Sequence, residues 1–403
     1  MKNVQNIFEK VYTEKDLQKL KNFIARDLNL YSFYSVNSRT PTNAELSVLF
    51  EKRLQENLEN NLDAKRIQEI RQLLKNSKVR SNSGVVTISV LTKPYPCPGR
   101  CIYCPTEVKM PKSYLSQEPV AARGLANNFD PYKQMHSRLK SLELNGHPID
   151  KLEVIVIVGT FDYYQKSYQE FFMQEIFRAA NEYNFTQENK EKKNKEKSNL
   201  NFTSLTLLEL HKINETANCR IVGLSVETRP DWINFEELNW LRYLGVTKIE
   251  IGVQHLDNQV LDFNGREMTK EKIAEATELM RAAGFKFVYH MMPNLPESNP
   301  EMDVQMFKDL YNTKDFHPDM LKIYPCMILK TTLLYKMFTR KIQKVKNLIT
   351  GEWQEKEFSY QPYVDERLIH VLAGCEREVK NYTRIIRMIR DIPATYILAS
   401  SKI

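Results

Sequence analysis

From Gly84 onward the chain alternates short β-branched runs with stretches of helical periodicity, and this rhythm constrains the fold more than any other feature. The runs "VVTISVLT", "KLEVIVIVGT", "RIVGLSV", "KIEIGVQ", "KFVYHMMP" and "MLKIYP" are separated by "PYKQMHSRLKSLELNG", "QEFFMQEIFRAANEY", "NFEELNWLRYLG", "KEKIAEATELMRAAG" and "PEMDVQMFKDLYN". Six strands with intervening helices predict an α/β fold of parallel β/α units. Right-handed crossovers then leave an open doubly wound sheet or a barrel, complete or partial. In both, the chemistry gathers at the C-terminal ends of the strands.

The first strand runs into "KPYPCPGRCIYCPT", residues 93–106, in which Cys97, Cys101 and Cys104 are spaced C-x3-C-x2-C. A structural zinc site closes with four ligands in separated pairs, and the nearest downstream histidine is His136, so no fourth ligand is at hand. A redox pair at Cys101 and Cys104 would leave Cys97 unexplained. A 4Fe-4S cluster ordinarily takes four cysteines. Three on one loop hold three irons and leave the fourth open to the amino and carboxylate groups of S-adenosylmethionine, whose sulfonium bond an electron from the cluster can split. Pro96, Pro98, Gly99 and Pro105 hold such a loop open and let its backbone approach the cluster. The scattered Cys219, Cys326 and Cys375 read as ordinary buried residues, and six cysteines in a Lys-rich chain of 403 residues argue against a disulfide framework.

With 42% apolar side chains the chain can bury one large domain with appendages, or two domains. It has no run of eighteen apolar residues and no signal-peptide core at its start, so a cytoplasmic protein without a membrane span is expected. The net charge of +8 is uneven: residues 1–80 contribute +5 and residues 330–403 contribute +6, while the middle is slightly acidic. Basic flanks suit a polyanion such as RNA, or are simply a solvated Lys-rich surface.

Three parts follow. Residues 1–80 read as a helical, basic lead-in, with "TEKDLQKLKNFIARDL" opening on Thr-x-x-Asp and "NAELSVLFEKRLQENL" opening from an Asn cap. Residues 81–330 hold the β/α units, interrupted by "TQENKEKKNKEKSN" at 186–199, which has no apolar residue and is expected to be a mobile surface loop, with a nucleic-acid arm as the alternative. Residues 331–403 read as a helical extension in which Arg384, Arg387 and Arg390 recur every three residues. On a helix they would form a guanidinium row for phosphates, or merely a wet face.

The stretches "SGVVTISVLTKPYPCPGRCIYCPTEVKMPKSYLSQEP", "FDPYKQMHSRLKSLELNGHPIDKLEVIVIVGTF", "NETANCRIVGLSVETRPD", "LGVTKIEIGVQ", "AAGFKFVYHMMPNLPESNPEMDVQMFKDL", "DMLKIYP" and "IRMIRDIP" carry a resemblance. The cysteine loop is similar to that of radical S-adenosylmethionine enzymes, and the series as a whole resembles the Elongator protein 3 family in its bacterial and archaeal single-chain form. The resemblance implies a partial (β/α) barrel of radical SAM type. It implies an enzyme of tRNA modification that places a carboxymethyl-type group on carbon 5 of the wobble uridine. The family chemistry uses a 5'-deoxyadenosyl radical to take hydrogen from the methyl of acetyl-CoA, with tRNA (the anticodon stem-loop) and a reductant protein as partners.

The resemblance also assigns roles. Cys97, Cys101 and Cys104 would ligate the cluster. Tyr103 would pack over the adenine, or serve the core. Gly159 and Thr160 would meet the methionine amino group, with Val158 standing where the family reads a first glycine, a β-branched residue that tolerates neither positive φ nor close ligand approach. Glu227, Thr228, Arg229 and Gln254, at strand ends, would contact cofactor or substrate, or pair structurally. His290 would orient a ligand or satisfy the core, Lys322 and Tyr324 would face an acyl or phosphate group, and Lys151 matches a lysine linked to acetyl-CoA. Family members continue into an acetyltransferase domain, while this chain stops at Ile403. The expectation is that this domain is absent and supplied in trans. The alternatives are a non-catalytic or partner-dependent tRNA-binding 4Fe-4S protein, or a radical enzyme with a diverged acyl substrate.

Cys101→Ala is expected to lose most of its iron and all 5'-deoxyadenosine formation after anaerobic reconstitution, because two thiolates cannot fix a site-differentiated cluster. Iron assay and product chromatography check this; full iron content would reject the ligand assignment.

Overall fold

The computed structural model describes residues 6–26, 41–75, 81–183, 201–346 and 353–399, so the lysine-rich stretch 186–199 lies outside the described residues. Three N-terminal helices, α1 (Glu14–Arg26), α2 (Asn43–Gln55) and α3 (Ala64–Leu74), share a small core that includes Phe8, Leu17, Phe50 and Ile70. The Thr-x-x-Asp start of α1 works reciprocally: the Asp16 N–H donates to Thr13 Oγ1 at 3.2 Å and the Thr13 N–H to Asp16 Oδ2 at 3.1 Å. In α2 the cap is Thr42, one residue before the expected Asn43, because Thr42 and Glu45 form the full capping box. Within this unit Arg53 and Glu59 form a buried pair at 2.6 Å, and the Glu59 carboxylate also accepts from the Ile7 and Phe8 N–H groups.

The six expected strands are present: β1 (Val86–Leu91), β2 (Lys151–Ile157), β3 (Arg220–Thr228), β4 (Lys248–Gln254), β5 (Lys286–Met291) and β6 (Met320–Ile323). A seventh, β7 (Arg384–Arg387), pairs with β6. All neighbours are parallel and the spatial order follows the chain from β1 to β7. An order without reversal is a barrel wall and not a doubly wound sheet. Among the described residues β1 and β7 do not pair, so the barrel stays open.

The seventh strand corrects the sequence reading, which took the arginine spacing of residues 384–390 for a helical row. Thr383, Ile385 and Ile386 give the segment β-branched character, and the Arg384 N–H donates to the Asp319 carbonyl at 3.2 Å as the strand starts beside β6. The C-terminal extension is therefore mixed. It holds helices Leu333–Arg340 and Asp365–Glu378, a hairpin of Ile342–Lys346 with Trp353–Glu357, and a short strand Ile397–Ala399 antiparallel to Ile328–Leu329.

The wall is two-sided. In β2, Leu152, Val154 and Val156 are fully buried, while the intervening residues are more accessible and face the barrel interior. Against the buried face pack helices such as the one at Pro131–Leu144, here α5, while the preceding α4 (Pro119–Ala126) packs Ala121 against Leu91 and Ile157 beside the cavity. In α5, Met135, Leu139 and Leu142 enter the main core, and the helix starts from the Asp130 side chain with Pro131 in its first turn. Cys219, Cys326 and Cys375 are buried, as their scatter suggested. Among the described residues no helix is long and apolar enough to cross a membrane.

Candidate active site

The C-terminal ends of the strands surround a cavity of about 250 Å³, and the cysteine loop forms one wall of it. Cys97, Cys101 and Cys104 all line the cavity, and none is in a disulfide. The loop is anchored at its start, where the Tyr164 hydroxyl donates to the Lys93 carbonyl at 2.7 Å. Cys97 Sγ lies 3.5 Å from Thr160 Oγ1, which joins the loop to the end of β2. Burial pushes the Cys101 thiol up, but the Arg266 guanidinium beside it, followed by Arg229, draws it below its ordinary value. Cys104, buried next to Cys101, is pushed up to about 12.

Val158 is accommodated without strain. It is not among the described residues of positive φ, its side chain is buried in the main core, and its N–H donates to Glu227 Oε2 at 3.1 Å. The close approach falls instead on Gly159, where an added Cβ would lie 3.1 Å from the Lys112 carbonyl oxygen.

Across the floor, four strands each contribute one polar side chain. Glu227 on β3 lies opposite Glu250 on β4, and His290 on β5 lies opposite Lys322 on β6. The Lys322 ammonium donates to Glu250 Oε2 and sits 3.6 Å from Glu227 Oε1. His290 Nε2 is 3.0 Å from Glu250 Oε2, Ser225 donates to Glu250 Oε1 at 3.2 Å, and the Tyr114 hydroxyl donates to Glu227 Oε2 at 2.5 Å. Burial alone would raise the Glu250 pKa. The Lys322 charge, then the His290 contact, outweigh it and hold the carboxyl below its ordinary range. For Lys322, burial disfavours the charge, but Glu250 and then Glu227 hold the ammonium above its ordinary value. Glu227, Glu250 and His290 are also close enough to hold a cation, and Lys322 supplies positive charge at that point.

Around this floor the cavity keeps unsatisfied groups. Gln254 ends β4 with φ +70 and a buried Oε1 that has no hydrogen-bond partner, a strained position of the kind that collects at functional sites. Arg229 is clamped to Asp231 at 2.8 and 2.9 Å, yet its Nη1 is buried without a partner. A Cβ on Gly99 would lie 2.3 Å from that Nη1, so only glycine lets the cysteine loop come so close. Three thiols, an orphaned donor and an orphaned acceptor facing one cavity fit a thiolate-held iron-sulfur cluster beside an aminocarboxylate ligand.

The remaining expected residues divide. Tyr103 lines the cavity and also packs into a side core with Ile328 and Leu334, so both of its readings have a structural basis. Tyr324 stands at the lip, its ring centroid 5.9 Å from that of His290. Thr228 faces away from the floor and donates to Asp162 at 2.6 Å. Lys151 is not brought to the site: it is the exposed first residue of β2, at the opposite end of the barrel. Arg384, likewise, is exposed at the start of β7, whereas Arg387 and Arg390 line the cavity. Arg390 is half-buried. It bridges to Glu118 at 2.8 Å and the Ser113 carbonyl at 2.5 Å and lies 4.7 Å over the Tyr114 ring.

Sequence reasoning missed Glu250, Tyr114, Glu118 and Arg266. Glu250 had a signal, a carboxylate at an inward position of the apolar run "KIEIGVQ". The others are set by contacts between segments far apart in the chain, which no local pattern encodes.

The sequence model of the radical SAM superfamily matches residues 91–310. The chain is 38% identical over 336 residues to a tRNA uridine(34) acetyltransferase of Methanocaldococcus jannaschii, covering 82% of this chain and 56% of that protein. It is 31% identical over 331 residues to Elongator complex protein 3 of Danio rerio, covering 79% and 54%. Among solved structures, the archaeal Elp3 of Methanocaldococcus infernus with an N-terminal deletion matches with a TM-score of 0.60 at 35% identity, covering 79% of this chain and 60% of that one. The chain thus spans about half the length of the curated relatives it matches.

Two stability predictions follow from the buried charges. Glu250→Gln leaves the Lys322 ammonium short of its partner and is expected to cost roughly 3–5 kcal/mol in urea unfolding, with Lys322→Met in the same chain recovering much of it. The Glu250 contribution, its folded pKa being depressed, is full above the ordinary carboxylate value of 4.5 and is lost as pH falls below it. Asp162 has the opposite sign. Burial raises its carboxyl from 3.8 to about 7, so wild-type stability is expected to fall as pH rises through that window. Asp162→Asn removes this slope, and the variant should gain on wild type by on the order of 2–4 kcal/mol between pH 4 and pH 8.

Proposed function

Because the chain belongs to the radical SAM superfamily, we propose that it cleaves S-adenosylmethionine at a 4Fe-4S cluster held by Cys97, Cys101 and Cys104, and serves the formation of a carboxymethyl-type group on the wobble uridine of tRNA. The observation that carries this reading is the convergence of three unpaired thiols and the strand-end polar set on one cavity. When bound, the cluster and S-adenosylmethionine supply an electron and a carbon radical that no side chain can supply.

This chain's own residues bind, orient and exclude water. The Arg229 Nη1, the Gln254 Oε1, Thr160 and the cavity-lining backbone at Gly159 are suited to an aminocarboxylate, and Tyr103 to one face of an adenine. Glu250 and Glu227 keep the proton on Lys322, which makes it a fixed cation for an acyl or enolate oxygen at the lip near Tyr324. His290, tied to Glu250, orients that lysine and is a positioning group. Lys151 plays no part in this site.

The substrate and donor are proposed from the relatives, whose names specify uridine 34 of tRNA and an acetyltransferase. On that basis the substrate is the tRNA anticodon stem-loop, the co-substrate is acetyl-CoA, a reductant protein feeds the cluster, and the setting is the cytoplasm. The basic helices of residues 1–80 and the arginines of the C-terminal segment follow the RNA backbone, while residues 81–330 with β7 carry the chemistry.

Anaerobic reconstitution tests the reading. The expected protein is brown, turns S-adenosylmethionine into 5'-deoxyadenosine with dithionite, and binds tRNA with an affinity that falls with salt, the slope dropping by about one in Arg387→Gln. With acetyl-CoA added, carboxymethyluridine is expected in the tRNA and is measured by mass spectrometry, with and without a supplied acetyltransferase unit. An iron-loaded protein that binds tRNA but never cleaves S-adenosylmethionine would replace the enzyme with a binding module.

A further inference from the structure

Behind the cysteine loop, helix Asn258–Phe263 ends in the turn Asn264, Gly265, Arg266. Gly265 has φ +68, and a Cβ there would lie 2.8 Å from the Arg100 carbonyl oxygen, so this turn can lie against the cysteine loop only with glycine at its centre. The Asn264 carbonyl accepts from the Ile102 N–H at 3.2 Å, and Asn264 Nδ2 donates to the carbonyls of Val260 and Pro296 at 2.8 and 2.9 Å. The turn is thereby pinned to the residue that follows Cys101.

Arg266 projects from it and is 4% exposed. Its Nη1 is 3.3 Å from Cys101 Sγ, and its Nη2 donates to the Gly252 carbonyl. Its own carbonyl accepts from Arg229 Nη2 at 2.8 Å, which brings a second guanidinium to the same side of the loop. Among the described residues Arg266 is in no ion pair; Tyr103, Cys101 and Asp231 are the groups able to carry negative charge that act on it, and of these the Cys101 sulfur is its hydrogen-bond partner. A buried guanidinium aimed at a sulfur, on a turn built to bring it there, acts on whatever charge that sulfur carries.

We propose that Arg266 is a positioning residue that sets how readily the cluster at Cys97, Cys101 and Cys104 accepts its electron, an inference that rests on the function proposed above. Cluster potentials depend on net charge and on hydrogen bonds to the sulfurs. The reduced cluster carries one more negative charge than the oxidised one, so a cationic donor on Cys101 favours reduction. The electron comes from an external reductant, and Arg266 itself neither gains nor loses a bond.

The test is an electron-paramagnetic-resonance redox titration of the reconstituted full chain without S-adenosylmethionine, comparing wild type with Arg266→Met and Arg266→Lys at matched iron content. In Arg266→Met the ratio of reduced to oxidised cluster at a fixed ambient potential should fall about tenfold, a shift of about 59 mV for a one-electron couple. Arg266→Lys, which keeps a cationic donor, should fall less. An unchanged potential in Arg266→Met overturns the proposal even if S-adenosylmethionine binding weakens, because that pattern marks a ligand contact. Should Arg266→Met take up no iron, Arg266→Gln, which keeps a neutral donor and removes the charge, takes its place: a lowered potential supports the role and an unchanged one rejects it. A wild-type chain that assembles no cluster defeats the underlying reading as well, so the two failures are distinguishable.

Discussion

The buried ion pair of Lys322 with Glu250 is the interaction on which the barrel floor depends. Removing either partner leaves a buried charge without its counter-ion, and such charges are tolerated only when paired and hydrogen-bonded. The pair draws in Glu227, His290, Ser225 and Tyr114, so that β3, β4, β5, β6 and the segment after the cysteine loop meet at one point. A one-residue slip in any of these strands would turn its member of the set to the outer, apolar face, so the charge balance also fixes register. Structural order and chemical order coincide here, because the groups that lock the strands are those that face the cavity.

The cysteine loop depends on that floor indirectly. Glu227 accepts from the Val158 N–H and from Tyr114, and so ties the end of β2 and residues beyond Cys104 to the ion pair. Behind the loop the turn at Gly265 closes the other side. Two glycines, Gly99 and Gly265, permit guanidinium and backbone approaches that any side chain would block. Here the sequence's sparing use of glycine has a geometric meaning: only 12 occur in 403 residues.

Much of this was legible beforehand, and the reasons for the exceptions are physical. Parallel strands between helices announce themselves through period and β-branching, and "VVTISVLT" or "KIEIGVQ" needs no tertiary knowledge to be read as a strand. Their sequential order could only be settled in three dimensions, since both a doubly wound sheet and a barrel satisfy the same local pattern. β7 escaped because an arginine every third residue fits a helix face, while its pairing with β6 is made by backbone groups that carry no sequence signature. The three cysteines stood out by their spacing, and Glu227, Arg229, Gln254, His290, Lys322 and Tyr324 as polar residues at the ends of apolar strands; all nine line the cavity. Lys151 lies apart from this cavity because it stands at the start of a strand, and the cavity lies at the strand ends. Arg266 and Glu118 lay in loops and caps whose partners are distant in sequence, where residue type alone says little.

The open side of the barrel has a consequence of its own. Among the described residues β1 and β7 share no backbone ladder, and Arg390 reaches across from beyond β7 to Glu118 and the Ser113 carbonyl after β1. A wall closed by strand pairing would have to break a row of hydrogen bonds to widen. Among the described residues the seam is held by side chains such as Arg390 and not by a strand ladder, so its ionic part is open to competition from other anions in a way that a row of backbone hydrogen bonds is not.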